Sequence, residues 1–235
     1  MRAQEIIDVY SSDDAIEEYS TYHLRKEEKY LFRKYFAPGT RVLDLACGLG
    51  RTTLRLSEDE VRVRGYDLSP VFIERAQKRF PYLDLHVGTY TAIPELDQSY
   101  DGVLISANGL DCAGSDKARV QALRECARVL RSGGALIFSS HNLKSLHASP
   151  YYALSPTRLL WKLRHTLDAF RDHAYVVDIG RANAINYFYG SPTYTIRQVE
   201  DEGFRFYEAI GFRASQSPTF LKWVSPYIYY AFERL

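Results

Sequence analysis

Apolar residues recur along the chain in two rhythms. RVLDLA (41–46) is a near-continuous apolar run bounded by glycine, the signature of a strand buried on both faces. VRVRGYD (61–67) alternates and predicts a second strand. YLDLHVG (82–88), YDGVLIS (100–106) and ALIFSS (135–140) predict three more. Between the strands the period lengthens. Residues 49–57 read as a helix. Ser69 as a cap and Pro70 at the first helical position open another, with Val71, Phe72, Ile73, Ala76 and Phe80 on its apolar face. Leu123, Ala127 and Leu130 recur at helical spacing within 116–131, and Gly133-Gly134 is expected to end that helix. Strands alternating with helices at these intervals imply parallel strands with helices on both faces.

The pattern differs at both flanks. Residues 1–37 read as polar and helical, with Tyr10, Tyr19, Tyr22, Tyr30 and Tyr35 spaced through them, and Pro38-Gly39 closes the segment. Residues 141–190 are aromatic and basic, with a helix expected at 156–172 and a strand pair around 174–189, and read as an insertion. Ser191-Pro192 opens a last helix to about 202, Gly203 stops it, and FRFYEAIGF and PYIYYAFER read as two final strands. At 235 residues, the chain is expected to be a single domain over 1–235, with 1–37 as an N-terminal helical lid and 141–190 as a cap over the substrate.

Composition narrows the function. Hydrophobic residues at 46% and charged residues at 25% argue against disorder. Thirty basic residues against 29 acidic ones leave a formal charge of +1, a poor footprint for binding nucleic acid. Cys47, Cys112 and Cys126 contain no CxxC pair, so neither a zinc site nor a disulfide framework is expected, and a reducing, cytoplasmic setting fits. No run of 18 apolar residues occurs, so no membrane span is expected.

The chemistry concentrates in VLDLACGLGRTT (42–53), where a strand ends in a glycine turn that feeds a helix. Gly48 and Gly50 let a ligand approach backbone N–H groups at the helix start. A dinucleotide fingerprint needs a third glycine where Thr53 stands, so a pyrophosphate ligand is disfavoured. Asp67, at the end of the second strand and 23 residues beyond Asp44, is placed to accept both hydroxyls of a ribose. Together they call for a nucleoside joined to something other than a diphosphate.

These residues resemble the class I S-adenosylmethionine-dependent methyltransferases. Val42 to Gly50 matches the first motif, Tyr66-Asp67-Leu68-Ser69-Pro70 the second, Tyr100-Asp101-Gly102-Val103 the start of the fourth strand, and Arg128 to Gly134 the turn before the fifth. The resemblance covers roughly 19–145 closely and 191–235 in outline. It implies a doubly wound, mostly parallel, seven-stranded Rossmann-like α/β sheet, with PYIYYAFER inserted antiparallel. It implies S-adenosyl-L-methionine as cofactor. Asp44 would orient the glycine turn, Ala46 and Gly48 would lie against the methionine part, Asp67 would bind the ribose, and Leu68 would pack on the adenine. The family often has an acid after the glycine that ends the third strand. Here Thr89 and Tyr90 follow Gly88 and would have to replace that contact. Ser106, Ala107 and Asn108 would pass below the methyl-bearing sulfur.

A sulfonium methyl is already electrophilic, so the protein must chiefly place a nucleophile in line with it. A hydroxyl acceptor also needs a base or a metal, and no metal-ligand cluster stands out. His141, just past the fifth strand, is the best candidate base; its simpler reading is a loop histidine bonded to backbone. Tyr22, beside His23, is a second candidate, and Asn108 could position an amine. Tyr19 and Tyr22 could close the lid, or merely pack its helix on the core. The expected function is methyl transfer to a nitrogen or oxygen of a small molecule, in natural-product or saccharide biosynthesis. The alternatives are an NAD(P)-dependent oxidoreductase and a non-catalytic S-adenosylmethionine-binding partner protein. The expected partner is a small-molecule acceptor, with no nucleic acid and no membrane; a homodimer is left open.

Overall fold

The first apolar run becomes the central strand. The computed structural model describes residues 3–10, 12–21, 23–145, 171–177, 186–211 and 225–235. In it β1 (Arg41–Leu45) is buried at every position but the first. It pairs in parallel with β2 (Arg62–Asp67) on one side and β4 (Tyr100–Ile105) on the other. β3 (Asp84–Val87) continues the sheet beyond β2, and β5 (Leu130–Asn142) continues it beyond β4. The chain thus leaves β1 in one direction and returns to its other side. This reversal of strand order opens a crevice at the carboxyl ends of β1 and β4.

β9 (Tyr227–Arg234) runs antiparallel along β5, from Ala135 opposite Glu233 to His141 opposite Tyr227, and β8 (Phe204–Gly211) runs antiparallel to β9. The order β3-β2-β1-β4-β5-β9-β8 is the expected seven-stranded sheet with its last strand inserted antiparallel. Two more strands join it among the described residues. β6 (His173–Val177) and β7 (Asn186–Gly190) form an antiparallel hairpin, the strand pair expected in the insertion. β5 has 13 residues and β4 only six, so β5 projects past β4. Its last two residues, His141 and Asn142, pair in parallel with Tyr189 and Gly190 of β7. All but the last two residues of the helix expected at 156–172 lie outside the described residues.

Helices cover both faces. α4 (Arg51–Glu58), α5 (Pro70–Arg79), α6 (Asp116–Val129) and α7 (Pro192–Glu200) follow the periodic segments. The polar amino-terminal segment supplies α1 (Ala3–Tyr10), α2 (Asp13–Ser20) and α3 (Lys26–Tyr35). Ser69, Ser115 and Ser191 cap their helices by accepting from the backbone N–H three residues on. Strand side chains alternate between faces. Leu43, Leu45, Val103, Ile105, Leu136 and Phe138 pack with Leu123 and Ala127 of α6. Val42, Leu104 and Ile137 face Leu31, Phe32 and Phe36 of the α3 region and Leu56 of α4. α6 ends at Val129, earlier than its spacing implied. Gly133, at φ +79°, lies within β5 where the register against β4 shifts between Leu130 and Ala135, and does not end the helix, because Leu130 has already gone extended.

One glycine in the sheet is set by packing alone. A Cβ on Gly102 would lie 2.4 Å from Phe36 Cε1, so Phe36 can rest on β4 only because that atom is missing. Gly102→Ala should lower the unfolding free energy by about 1–3 kcal/mol, read from urea denaturation.

Asp44 of β1 is fully buried, and its Oδ2 accepts from the hydroxyls of Thr52 and Thr53, each at 2.7 Å. These bonds tie the strand to the first turn of α4 across the glycine turn. Oδ1 has no partner, and burial pushes the carboxyl up to about 6. The folded chain therefore binds this proton more readily than the unfolded chain, whose aspartates titrate near ~3.9. The associated stability is present below about pH 4 and is lost as pH rises through about 6, a difference of about 3 kcal/mol. Asp44→Asn should abolish that slope. Its unfolding free energy relative to wild type should gain about 3 kcal/mol between pH 4 and pH 7 in urea titrations.

Candidate functional site

The turns at the strand ends enclose a cavity of about 380 Å³, within the range of small-molecule sites. Ala46, Gly48 and Leu49 of the glycine turn form one wall, and Asp67 and Leu68 a second. Thr89 and Tyr90, after β3, form a third. Ser106, Ala107 and Gly109, after β4, form the fourth. Ala46 at φ +55° and Ala107 at φ +50° both adopt the left-handed backbone that non-glycine residues avoid. Such strain is held only where the surroundings over-determine it, and it clusters at sites of function.

Asp67 joins two of these walls. Its Oδ2 accepts from the Gly48 N–H at 2.8 Å, and its Oδ1 accepts from the Ser69 N–H at 2.8 Å. Burial raises the carboxyl above its ordinary value, and the two backbone bonds act against that rise. A carboxylate can accept about four hydrogen bonds, so two acceptor positions remain for a ligand diol. Phe72, Tyr10 and Tyr19 complete this end of the cavity. The Tyr10 and Tyr19 ring centroids lie 5.6 Å apart, and both rings sit against Phe72, at 6.2 and 6.0 Å. The amino-terminal helices α1 and α2 thus place one tyrosine each on the cavity wall. Thr89 spends its hydroxyl on Thr91, 2.9 Å away, and Tyr90 donates to the Gly109 carbonyl at 3.3 Å. Both line the wall where the family's acid is absent.

Two expected residues act from behind that wall. Asp44 reaches the cavity only through Thr52, Thr53 and the turn they hold. Gly50, at φ +79°, backs onto Leu83 and Leu85. Tyr22 lies outside the described residues, and the neighbouring His23 is exposed.

A buried ion pair underlies the site and was not singled out in the sequence. Arg51, the first residue of α4, lines the cavity and binds Glu28 of α3 through two parallel bonds of 2.7 and 2.8 Å. Ser106 Oγ also donates to Glu28 Oε1, and the Arg25 N–H donates to Oε2 at 2.8 Å. Burial alone would raise the Glu28 carboxyl. The bonds from Arg51, Ser106 and Arg25 outweigh it and hold the carboxyl below its ordinary value. The only signal was the position of Arg51 straight after the glycine turn; Glu28 is one acid among many in a polar helix.

His141 and Asn108 stand beside the cavity, not on its wall, although Ala107 and Gly109 on either side of Asn108 do line it. The Asn108 side-chain nitrogen lies 3.3 Å from His141 Nε2. Asp111, on a 3-10 turn at Gly109–Ala113, is 2.7 Å from His141 Nδ1 through its Oδ2. It is fully buried and paired with the equally buried Arg119 of α6 at 2.8 Å. Nothing in the local sequence marks this acid, because the helical turn that carries it was not expected.

Among the described residues, no group of three or more His, Cys, Asp and Glu side chains converges as a metal site, and no helix is long and apolar enough to cross a membrane.

A family model described as a methyltransferase domain matches residues 42–134. The demethylmenaquinone methyltransferase of Beutenbergia cavernae is 37% identical over 100 residues, covering 43% of this chain and 40% of that protein. The malonyl-[acyl-carrier protein] O-methyltransferase 1 of Coxiella burnetii is 38% identical over 113 residues, covering 46% and 37%. The chain thus spans about two fifths of the length of the curated relatives it matches. In fold it is similar to the 1,6-didemethyltoxoflavin N1-methyltransferase of Burkholderia thailandensis, solved with 1,6-didemethyltoxoflavin and S-adenosylhomocysteine. The TM-score is 0.67 at 13% identity, over 99% of this chain and 87% of that one. The glycine turn of β1, the acid of β2 and the turn before β5 all fall within or at the edge of the matched segment, and it is over residues 42–134 that this chain is similar to a methyltransferase domain.

Proposed function

We propose that this chain binds S-adenosylmethionine in the 380 Å³ cavity and transfers its methyl group to a nitrogen or oxygen of a small molecule. The observation that carries the reading is Asp67, anchored by the Gly48 and Ser69 N–H groups at the edge of that cavity with acceptor positions to spare. Asp67 would take the ribose hydroxyls. Leu68 and Phe72 would flank the adenine, with Thr89 and Tyr90 along its edge. Ala46 and Gly48 would lie along the methionine part, above the Arg51–Glu28 pair. When bound, the cofactor supplies a methyl group on a positively charged sulfur. The chain itself then has to exclude water and aim the acceptor. Tyr10 and Tyr19 do the first from the amino-terminal lid. Burial raises the Tyr10 hydroxyl well above its ordinary value, so it stays a neutral phenol.

The turn 106–108 would run below the sulfur, with Asn108 and His141 on the acceptor side. Tyr22 remains a candidate for closing the same space. The hairpin β6–β7 at the end of β5 supports the reading of 141–190 as a cap that selects the acceptor. One named relative carries an O-methyltransferase name toward a carrier-bound molecule, and one structural neighbour an N1-methyltransferase name toward 1,6-didemethyltoxoflavin. This supports a small acceptor, and natural-product or saccharide biosynthesis is the setting we favour.

Calorimetry tests the reading directly. The wild-type chain should bind S-adenosylhomocysteine and not NADH; the reverse would favour the oxidoreductase. Asp67→Ala should weaken S-adenosylhomocysteine binding at least about tenfold, or 1.4 kcal/mol. Unchanged affinity would remove the ribose assignment.

A pH series supplies a second check. Protonated Asp67 loses acceptor capacity, and its proton is bound more readily than that of an ordinary aspartate. Affinity should therefore fall with decreasing pH, beginning above the usual carboxylate range near ~4. Asp67→Asn should flatten that limb.

A further inference from the structure

The groups around His141 are more ordered than a loop histidine requires. Asp111 has all four of its acceptor positions filled. Oδ1 takes Arg119 Nη1 at 2.8 Å and Ser140 Oγ at 2.7 Å, and Oδ2 takes the His141 backbone N–H and the His141 ring Nδ1, both at 2.7 Å. The carboxylate is buried and paired with a guanidinium, so it can only accept. Nδ1 must therefore carry the hydrogen, and in the neutral ring Nε2 keeps its lone pair.

Nε2 points away from Asp111 toward Asn108, whose amide nitrogen donates to it across a long 3.3 Å contact. Asn108 itself sits at φ +59°, directly after the left-handed Ala107, and its N–H is tied to Ser139 Oγ at 2.8 Å. Its carbonyl oxygen, Oδ1, is buried with no hydrogen-bond partner. An unpaired acceptor beside a basic nitrogen, one residue from the cavity wall, is what an arriving donor would satisfy.

The assembly is clamped from the cap. Tyr189 stacks on the imidazole at 4.6 Å between centroids, and Tyr187 lies at 5.5 Å. Phe188, between them in β7, covers the Arg119 guanidinium at 3.9 Å.

We propose that Asp111 fixes His141 as a general base, and that the acceptor is therefore a hydroxyl acidified by conjugation, a phenol or an enol, rather than an amine; this rests on the methyl-transfer reading above. An amine attacks through a lone pair it already has and needs no base. A phenol loses a proton of pKa about 10, within reach of an imidazole, whereas an aliphatic hydroxyl near water's ~15.7 is not. In the step, the acceptor O–H gives its proton to Nε2 while the oxygen bonds to the methyl carbon and the carbon–sulfur bond breaks. A methyl ether, a neutral thioether and an imidazolium facing the Asp111 carboxylate result, and the proton leaves to water. His141 is the catalytic residue here and Asp111 a positioning residue.

The test uses the full chain labelled with ¹⁵N-histidine, with S-adenosylhomocysteine added, in long-range ¹H–¹⁵N spectra. The His141 signal is assigned by its loss in His141→Gln. The expected result is the Nδ1–H tautomer in neutral wild type, shifted toward Nε2–H by Asp111→Asn. An Nε2–H tautomer in wild type overturns the proposal. Because Asp111→Asn leaves Arg119 short of a partner and can unfold the chain, the partly exposed His141→Gln carries the kinetic arm. With radiolabelled S-adenosylmethionine and a panel of phenols and anilines, label should enter oxygen. His141→Gln should lower kcat at least about 100-fold with S-adenosylhomocysteine affinity unchanged. Label entering anilines at a rate that His141→Gln does not alter overturns the proposal. A wild-type chain that fails to bind S-adenosylhomocysteine instead overturns the methyl-transfer reading itself.

Discussion

One side chain ties together the two strand ends on which the cavity depends, beside the backbone bond from the Cys47 N–H to the Tyr66 carbonyl. Asp67, where β2 stops, accepts the N–H of Gly48, in the turn where β1 stops. Parallel strands leave their last backbone groups unpaired at the carboxyl edge, and these must be satisfied by turns, side chains or ligand. The carboxylate satisfies the glycine turn, and the turn orients the carboxylate. The wall so formed holds its shape before any ligand arrives, which lowers the ordering cost of binding.

Three buried acids and the half-buried Asp67 surround this crevice, and their partners divide the work among them. Asp44 has two hydroxyl donors and one bare oxygen, so burial dominates and its carboxyl titrates near 6. Asp67 has two backbone donors and an open side. Glu28 faces a bidentate arginine and stays ionised despite its burial. Asp111 has every acceptor position taken, which leaves it no freedom except to hold what it touches. The same functional group thus ties a strand to a helix, keeps acceptor positions open, pairs with a guanidinium or has every acceptor position filled, according to the number and charge of its donors.

The amino-terminal helices and the β6–β7 hairpin meet over the site. The Tyr10 and Tyr187 hydroxyls are 2.9 Å apart, so a residue lining the cavity from the amino-terminal helices bonds to the hairpin packed on His141. The amino-terminal helix and the hairpin are thereby bonded to each other across the crevice. Closing a crevice in this way excludes water from whatever it holds.

The strands, their order of burial, the glycine turn and Asp67 were legible in the chain because each rests on local chemistry. Periodicity reports burial, Ser-Pro starts a helix, and a glycine turn ends a buried strand. The parallel core and the glycine turn and acid at its carboxyl edge follow from such short-range patterns. The pairing of β7 with the overhang of β5 was not legible, because it depends on the unequal lengths of β4 and β5. Glu28 with Arg51, and Asp111 with His141 and Arg119, were equally hidden. Each partner lies many residues from the other and looks locally like an ordinary surface charge. What the sequence alone determined was the sheet and the glycine turn and acid at its carboxyl edge. What only the tertiary structure decided was which buried charges meet, because an ion pair deep in the protein is favourable only where packing removes water from both partners at once.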